Sequence, residues 1–256
     1  MKIVSIGAGN LSTHLSKALQ NAGFEIIQIY SRTEASAKEL AGLLHVPYTT
    51  DIGCIAGDAS LYMISVHDDA IESLAESLTL SDRLVIHTAG SVPMDIFAGK
   101  LKNYGVLYPL QTFSRLSPVN FSEVPIFIEA NAQDNLHRLR MVAQAISHNV
   151  YDASSAERMK LHLAAVFGCN FVNYFYHLSA QIAQQAGFDF SVLSPLITET
   201  AHKALLSGNP KEVQTGPATR NDLGVMRKHL DLLSTHPKWR KMYEILSENI
   251  RKETSK

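Results

Sequence analysis

Cysteine is scarce in this chain: Cys54 and Cys169 are the two it contains in 256 residues. They stand far apart, in neither a CxxC nor a Cys/His ligand spacing, which argues against a disulfide framework and against a metal site. Free thiols in a reducing compartment are the expectation. An excess of one charge is also missing. The 23 Lys and Arg against 24 Asp and Glu leave a formal net charge of −1, so nothing electrostatic favours nucleic acid or an anionic membrane as partner. Long hydrophobic runs are absent too. The most apolar stretch, residues 161–178, is interrupted by His162, Asn170, Asn173 and His177, too polar for a membrane span. No charged leader precedes a cleavable apolar segment, so no signal peptide is expected, and a cytoplasmic location is inferred from these absences. No internal repeat or low-complexity tract stands out. What the chain does have is apolar content of 46% with 18% charged residues, enough core for one large domain or two ordinary ones.

The first dozen residues read as a buried strand, Lys2-Ile3-Val4-Ser5-Ile6, running into Gly7-Ala8-Gly9-Asn10-Leu11-Ser12, with a helix-like stretch at residues 13–21. That arrangement makes a phosphate cradle. A tight turn needs Gly7, close approach of a pyrophosphate needs the missing side chain at Gly9, and the following helix directs unpaired N–H groups and its positive end at the anion. Ser12 occupies the third position of the G-x-G-x-x-G pattern, small enough for close helix–strand packing. A second strand, residues 24–30, follows the punctuating Gly23. Where an NAD-binding unit places an acidic residue for the ribose hydroxyls, this chain has Ser31-Arg32-Thr33. No carboxylate repels a 2′-phosphate there, two hydroxyls can donate to it, and a guanidinium can pair with it or stack on adenine. The expected cofactor is NADP(H) rather than NAD(H); the plainer alternative is a solvated turn at a strand end.

To about residue 149 the pattern alternates short apolar runs with helical stretches, which argues for a parallel α/β sheet. Further strands are expected at residues 61–66, 84–87, 105–108 and 126–129, with another near 148–151, and helices at 34–44, 69–78 and 132–146. From Ser154 the strands stop. Helices are expected at residues 156–186, 191–207, 225–233 and 237–251, separated by Gly187, Gly208-Asn209-Pro210 and Thr215-Gly216-Pro217. The expected division is a Rossmann domain over residues 1–152 and an all-α domain over 153–256. The long first helix is apolar almost all round and must be buried. Packing against a second copy of the helical domain is the expectation; cover by the Rossmann half is the alternative.

In an open parallel sheet, ligands bind beyond the carboxyl ends of the strands. The residues expected there are Ala8 to Asn10, Ser31 and Arg32, then Val66-His67-Asp68-Asp69, then His87-Thr88-Ala89-Gly90-Ser91, and Tyr108-Pro109-Leu110-Gln111-Thr112. Val66 and His67 fall beside the cofactor's pyrophosphate and ribose. The small residues Thr88, Ala89 and Gly90 would let a nicotinamide lie close to the chain, while Tyr108 supplies a hydroxyl. Asp68 and Asp69 serve equally well as helix caps, and His87 equally well as a core histidine. On the long helix, a 3.6-residue period puts His162 and Asn173 almost in line, with Asn170 within a quarter-turn. Substrate contact and inter-subunit hydrogen bonds both account for them. Arg220 is a fork for a substrate carboxylate or a partner for Asp222.

The segments IGAGN (residues 6–10), YSRT (30–33), HTAGS (87–91), YPLQTFS (108–114), KLHLAAVFGCNFVNYF (160–175) and TGPATRNDLGVMRKHLDLL (215–233) resemble a family of Rossmann-like proteins with a C-terminal helical domain of unknown function. The resemblance covers essentially the whole chain. The family is grouped with deazaflavin-type NADP oxidoreductases and is more distantly similar to pyrroline-5-carboxylate reductase, ketopantoate reductase and 6-phosphogluconate-type dehydrogenases. It implies a helical domain of the 6-phosphogluconate dehydrogenase C-terminal type, dimerisation through that domain, and an active site in the cleft beside it. The hydroxyacid-dehydrogenase branch has a lysine followed four residues later by asparagine. Here Lys160 is followed by Ala164, so that dyad is missing, and no motif identifies a deazaflavin site.

These readings point to an NADPH-dependent reductase of a small carbonyl or imine. Gly7 to Leu11 with Ser31, Arg32 and Thr33 would hold the cofactor, hydride would leave near His87 to Gly90, and His162 would supply the proton while Asn170 and Arg220 orient substrate. A non-catalytic NADP-binding sensor, also dimeric, is the alternative from another class. A methyltransferase is disfavoured, because S-adenosylmethionine has no pyrophosphate to reward the helix N-terminus and no 2′-phosphate for Arg32.

Overall fold

The computed structural model describes residues 1–78, 80, 82–114 and 117–254. They form two compact units, Met1–Tyr174 and Phe175–Lys256. The first is built on an eight-stranded sheet of order β3-β2-β1-β4-β5-β6-β7-β8. Its strands are β1 Lys2–Ile6, β2 Glu25–Tyr30, β3 Tyr48–Thr49, β4 Leu61–Ile64, β5 Leu84–His87, β6 Asn103–Pro109, β7 Ile126–Ala130 and β8 Val150–Asp152.

The strands read as unbroken apolar runs because both faces are covered. Ile3, Met63 and Ile86 point to one face, against the helices α1 (Asn10–Asn21), α2 (Glu34–Leu44) and α4 (Gln133–Gln144). Val4, Tyr62, Ile64 and Val85 point to the other, where they meet α3 (Ile71–Ser77) and Phe97. α1 and α2 each bury one stripe at i, i+3, i+4, i+7, as amphipathic helices do: Ser12, Leu15, Ser16 and Leu19 on α1, and Ala37, Leu40, Ala41 and Leu44 on α2.

β1 to β6 are parallel, as the alternating pattern predicts, but β7 runs antiparallel to β6 and β8 follows β7. The cause lies in the connection. Among the described residues of the 110–125 connection there is a single 3-10 turn, Phe121–Glu123, and no helix to carry the chain back across the sheet for a parallel pairing. The two-residue β3 was not anticipated; it closes the edge beside β2.

After β8, α5 (Ser155–Ala165) starts on a full capping box. The Ser154 side chain accepts from the Glu157 N–H while Glu157 reaches back to the Ser154 backbone. The helix continues through a π-helical segment, Val166–Phe171, into α6 (Val172–Gln185). That segment corrects the alignment expected from a uniform 3.6-residue period. Winding to i→i+5 over six residues rotates everything beyond it relative to α5, so His162 and Asn173 do not share a line, and Asn170 and Asn173 are exposed rather than buried.

The second unit comprises the rest of α6 with α7 (Ser194–Ser207), α8 (Leu223–Leu232) and α9 (Pro237–Thr254). Among its described residues only Leu178, Ala218 and Ser247 are buried, while Leu196, Leu205, Leu206 and Leu232 are 65–83% exposed. No helix among the described residues is long and apolar enough to cross a membrane.

Candidate cofactor cleft and active site

The strand order reverses between β1 and β4, and the crevice beyond their carboxyl ends is where an open α/β sheet takes its ligand. A cleft of about 540 Å³ lies there, lined by Gly7 to Leu11, Ser31, Arg32, Thr33, Val66, His67, Thr88 and Ala89. All of these were expected from the sequence. A larger hollow of about 660 Å³, bordered by His14, Lys17 and residues 117–122, lies toward the other end of α1 and presents neither a glycine turn nor a free helix N-terminus.

The two glycines of the turn do different work. Gly7 has φ +119°, and a Cβ there would lie 2.1 Å from the Ser65 carbonyl oxygen, so the protein's own packing demands glycine. Gly9 has nothing within 4 Å of the same construction. Its missing side chain leaves space in the cleft, the kind of opening a pyrophosphate needs. Beneath the turn, Ser12 Oγ donates to the Gly7 carbonyl at 2.6 Å and lies 2.9 Å from Ser5 Oγ, to which Ser16 Oγ donates at 3.2 Å. These buried hydroxyls pin α1 to β1 in place of the third glycine. No side chain caps α1 and its first turn holds no acidic residue, which leaves its leading N–H groups available to an anion. The Asn10 side chain is used elsewhere. It donates to the Phe113 carbonyl at 3.1 Å, and His14 Nε2 lies 2.9 Å from the Ser114 carbonyl oxygen, so residues 113 and 114 lie along the first turns of α1.

At the β2 end, Ser31, Arg32 and Thr33 sit at the start of α2 with Arg32 exposed. Ser36, one turn into α2, also lines the cleft; its helical spacing from Arg32 and Thr33 was the available signal. The first acidic residue, Glu34, accepts from the Tyr48 hydroxyl at 3.2 Å. The N-terminal ends of α1 and α2, several hydroxyls and a guanidinium thus line one cleft.

His87 is not brought to this cleft. Strand pleating gives it the same face as Val85, where its fully buried ring packs 5.4 Å from that of Phe97. Its Nδ1 accepts from the Ala89 N–H at 3.2 Å. Burial first, and then the Arg158 charge, push its pKa down to about 3, with the Pro93 carbonyl offsetting part of this. It is a neutral core histidine that shapes the Thr88–Ala89 corner rather than a proton donor.

Gly90, by contrast, faces the Tyr108 ring, and His162 on α5 hydrogen-bonds the Tyr108 hydroxyl through Nδ1 at 3.1 Å. Ser91 donates to the Asp68 carboxylate alongside. Behind them is a cluster that sequence reasoning missed. Arg158, 1% exposed, donates to Glu129 at 2.6 Å, to the Val92 carbonyl at 2.6 Å and to Ser155 Oγ at 3.2 Å. Ser155 Oγ in turn donates to Glu129 and accepts from the Met94 N–H. This cluster ties the segment after β5 to β7 and α5. Asn170 is exposed in the π segment. Arg220 lies exposed in the second unit, where Asp222 caps α8 by accepting from the Val225 N–H. Among the described residues there is no His/Cys/Asp/Glu grouping that could hold a metal.

Residues 2–90 match the family of coenzyme F420-dependent NADP oxidoreductases, and residues 124–250 match a domain of unknown function, DUF2520. No curated protein matches the chain. Among solved structures, a Bacteroides fragilis protein assigned as an NADP oxidoreductase is 45% identical with a TM-score of 0.92, over 98% of each chain. An imine reductase from Myxococcus stipitatus, solved with NADP+, is 15% identical with a TM-score of 0.70, over 98% of this chain and 93% of that one. A 1-pyrroline-5-carboxylate reductase from Streptococcus pyogenes is 16% identical with a TM-score of 0.64, over 98% of each. The last two share the fold. The chain belongs to the NADP oxidoreductase family represented by the Bacteroides fragilis protein, with a Rossmann domain that takes NADP(H) followed by a helical DUF2520 region.

Proposed function

We propose that the protein is an NADP(H)-dependent reductase of a small carbonyl or imine compound. The observation that carries this reading is the pairing of a glycine turn shaped for a pyrophosphate with a hydroxyl–imidazole pair beside Gly90, two residues beyond Thr88 at the cleft wall. Gly7, Ala8, Gly9, Asn10 and Leu11 would receive the pyrophosphate on main-chain N–H groups. Ser31, Arg32, Thr33 and Ser36 would hold the 2′-phosphate, the guanidinium providing charge-assisted hydrogen bonds. Val66 and His67 flank the ribose side, and Thr88, Ala89 and Gly90 offer a surface without bulky side chains against which a nicotinamide can lie. When bound, the reduced cofactor supplies a hydride. The protein then has to supply a proton to the substrate heteroatom, and the Tyr108–His162 contact supports assigning that role to the pair. His87, neutral and enclosed, is given no such role.

Dimerisation accompanies this reading. A unit with three buried residues among those described and several leucines more than 60% exposed has too little interior of its own, and a second copy offers a matching apolar face. Sedimentation at micromolar concentration is expected to give a dimer; a monomer would contradict it. The reductase reading is tested by mixing the protein with NADPH and a panel of small aldehydes, ketones and cyclic imines. Loss of NADPH absorbance with at least one of them is expected. Tight NADPH binding with no oxidation across the panel would favour a cofactor sensor instead.

A further inference from the structure

Tyr108, the last residue but one of β6, keeps 8% of its surface exposed and is wedged against the main chain beyond β5. A methyl group placed on Gly90 would fall 2.6 Å from Tyr108 Cζ and 2.8 Å from Oη, so glycine at 90 is what lets the phenol reach this position. Gly90 immediately follows Ala89 at the cleft wall. On its other side the phenol meets His162, with Oη 3.1 Å from Nδ1 and the two rings edge to face at 6.2 Å. The hydroxyl is therefore held at the corner where a nicotinamide resting on Thr88–Gly90 would end. Among the described residues its hydrogen-bond partner is His162, on the side of α5. Three charged or titratable groups face it: His162 and Arg158 from α5, the latter paired with Glu129 of β7, and Asp68 from the turn after β4, which Ser91 engages.

We propose that Tyr108 is the immediate proton donor in the reduction and that His162 recharges it. This rests on the reductase reading above. As hydride adds to the substrate carbon, the C=O or C=N π bond breaks and its electron pair moves to the heteroatom, which takes the Tyr108 hydroxyl proton. The phenolate left on Tyr108 takes a proton from His162 Nδ1, and the imidazole regains one from solvent. Burial holds the Tyr108 hydroxyl above the usual phenol range, with Arg158 opposing and Asp68 reinforcing that shift. Tyr108 therefore carries its proton throughout the neutral range, and a new positive charge beside it would make it ionise at lower pH.

Oxidised nicotinamide is such a charge, and this gives a test that needs no substrate. Tyrosinate absorbance is titrated against pH in the whole protein, saturated either with NADP+ or with NADPH. The wild type contains nine tyrosines; one of them is expected to ionise about one to three pH units lower with NADP+ than with NADPH, the size of shift a unit charge within contact range produces. Tyr108→Phe should lose that component and keep its affinity for both cofactor forms. His162→Gln should keep the component but displace it. An identical cofactor-dependent titration in Tyr108→Phe would overturn the assignment. If that variant does not fold, the wild-type comparison decides alone, since the absence of any difference between the two cofactor forms overturns the assignment. Failure of the protein to bind either form would instead sink the reductase reading beneath it.

Discussion

Replacing His87 by asparagine should flatten the acid limb of the stability curve. The wild-type ring is fully buried, and its pKa is depressed to about 3 from an unperturbed 6.5. A group whose folded pKa is depressed favours the folded state above its unfolded pKa. That contribution is lost as pH falls toward the folded value, because unfolding then takes up a proton. Here the loss begins near pH 6.5 and continues toward pH 3 at ~1.4 kcal/mol per pH unit, amounting to about 5 kcal/mol in full. Between pH 7.5 and pH 5, before most carboxylates titrate, it should reach about 2 kcal/mol. Asparagine is the suitable replacement because its side-chain oxygen can take over the hydrogen bond from the Ala89 N–H and it does not titrate. Urea unfolding followed by circular dichroism at several pH values, in wild type and His87→Asn, gives the comparison. Whatever the offset at pH 7.5, the wild type should lose ~2 kcal/mol more than the variant on going to pH 5. Parallel curves would refute the reasoning and mean that the imidazole is solvated or paired in the folded protein.

The two glycines of the first turn should separate stability from binding. Gly7→Ala forces a Cβ onto the Ser65 carbonyl at a φ of +119° and should lower the melting temperature, at a cost of ~1–3 kcal/mol or more. Gly9→Ala meets no protein atom and should melt like wild type while binding NADPH at least about tenfold more weakly; calorimetry on both variants checks the contrast, and similar melting losses would defeat it. Arg158→Ala removes the cation paired with Glu129, leaving it the Ser155 donors alone, and leaves the Val92 carbonyl without its donor. Breaking a buried pair of this kind should cost roughly 3–5 kcal/mol in denaturant unfolding; a loss under ~1 kcal/mol would show that the cluster is solvated.

Much of the cofactor cleft could be read from the sequence because it depends on local chemistry. A glycine turn after an apolar strand, and Ser31-Arg32-Thr33 after the next, keep their meaning without tertiary information. What escaped depends on direction, parity and distance. Apolar periodicity identifies β7 but carries no sign of its direction; that comes from the 110–125 connection, whose described residues form no α-helix. His87 follows β5 into the sequence neighbourhood of the cleft, yet its parity with Val85 sends the ring into the core. Asn170 and Asn173 were projected along a uniform helix, and the π segment removes that phase. Arg158 reads as a solvated helix charge, because its partners Glu129 and Val92 lie 29 and 66 residues away. Tyr108 was visible as a hydroxyl at a strand end, but its pairing with His162 spans 54 residues and needed the fold.

The first turn and Arg32 should hold NADP(H) through its phosphates. Dissociation constants for NADPH and NADH, measured on wild type and on Arg32→Ala, test it most directly. The wild type should bind NADPH far more tightly. The substitution should weaken NADPH by roughly 10–100-fold, the worth of charge-assisted hydrogen bonds to a phosphate, while changing NADH little. Equal losses for the two cofactors, or no NADPH binding by the wild type at all, would contradict the account.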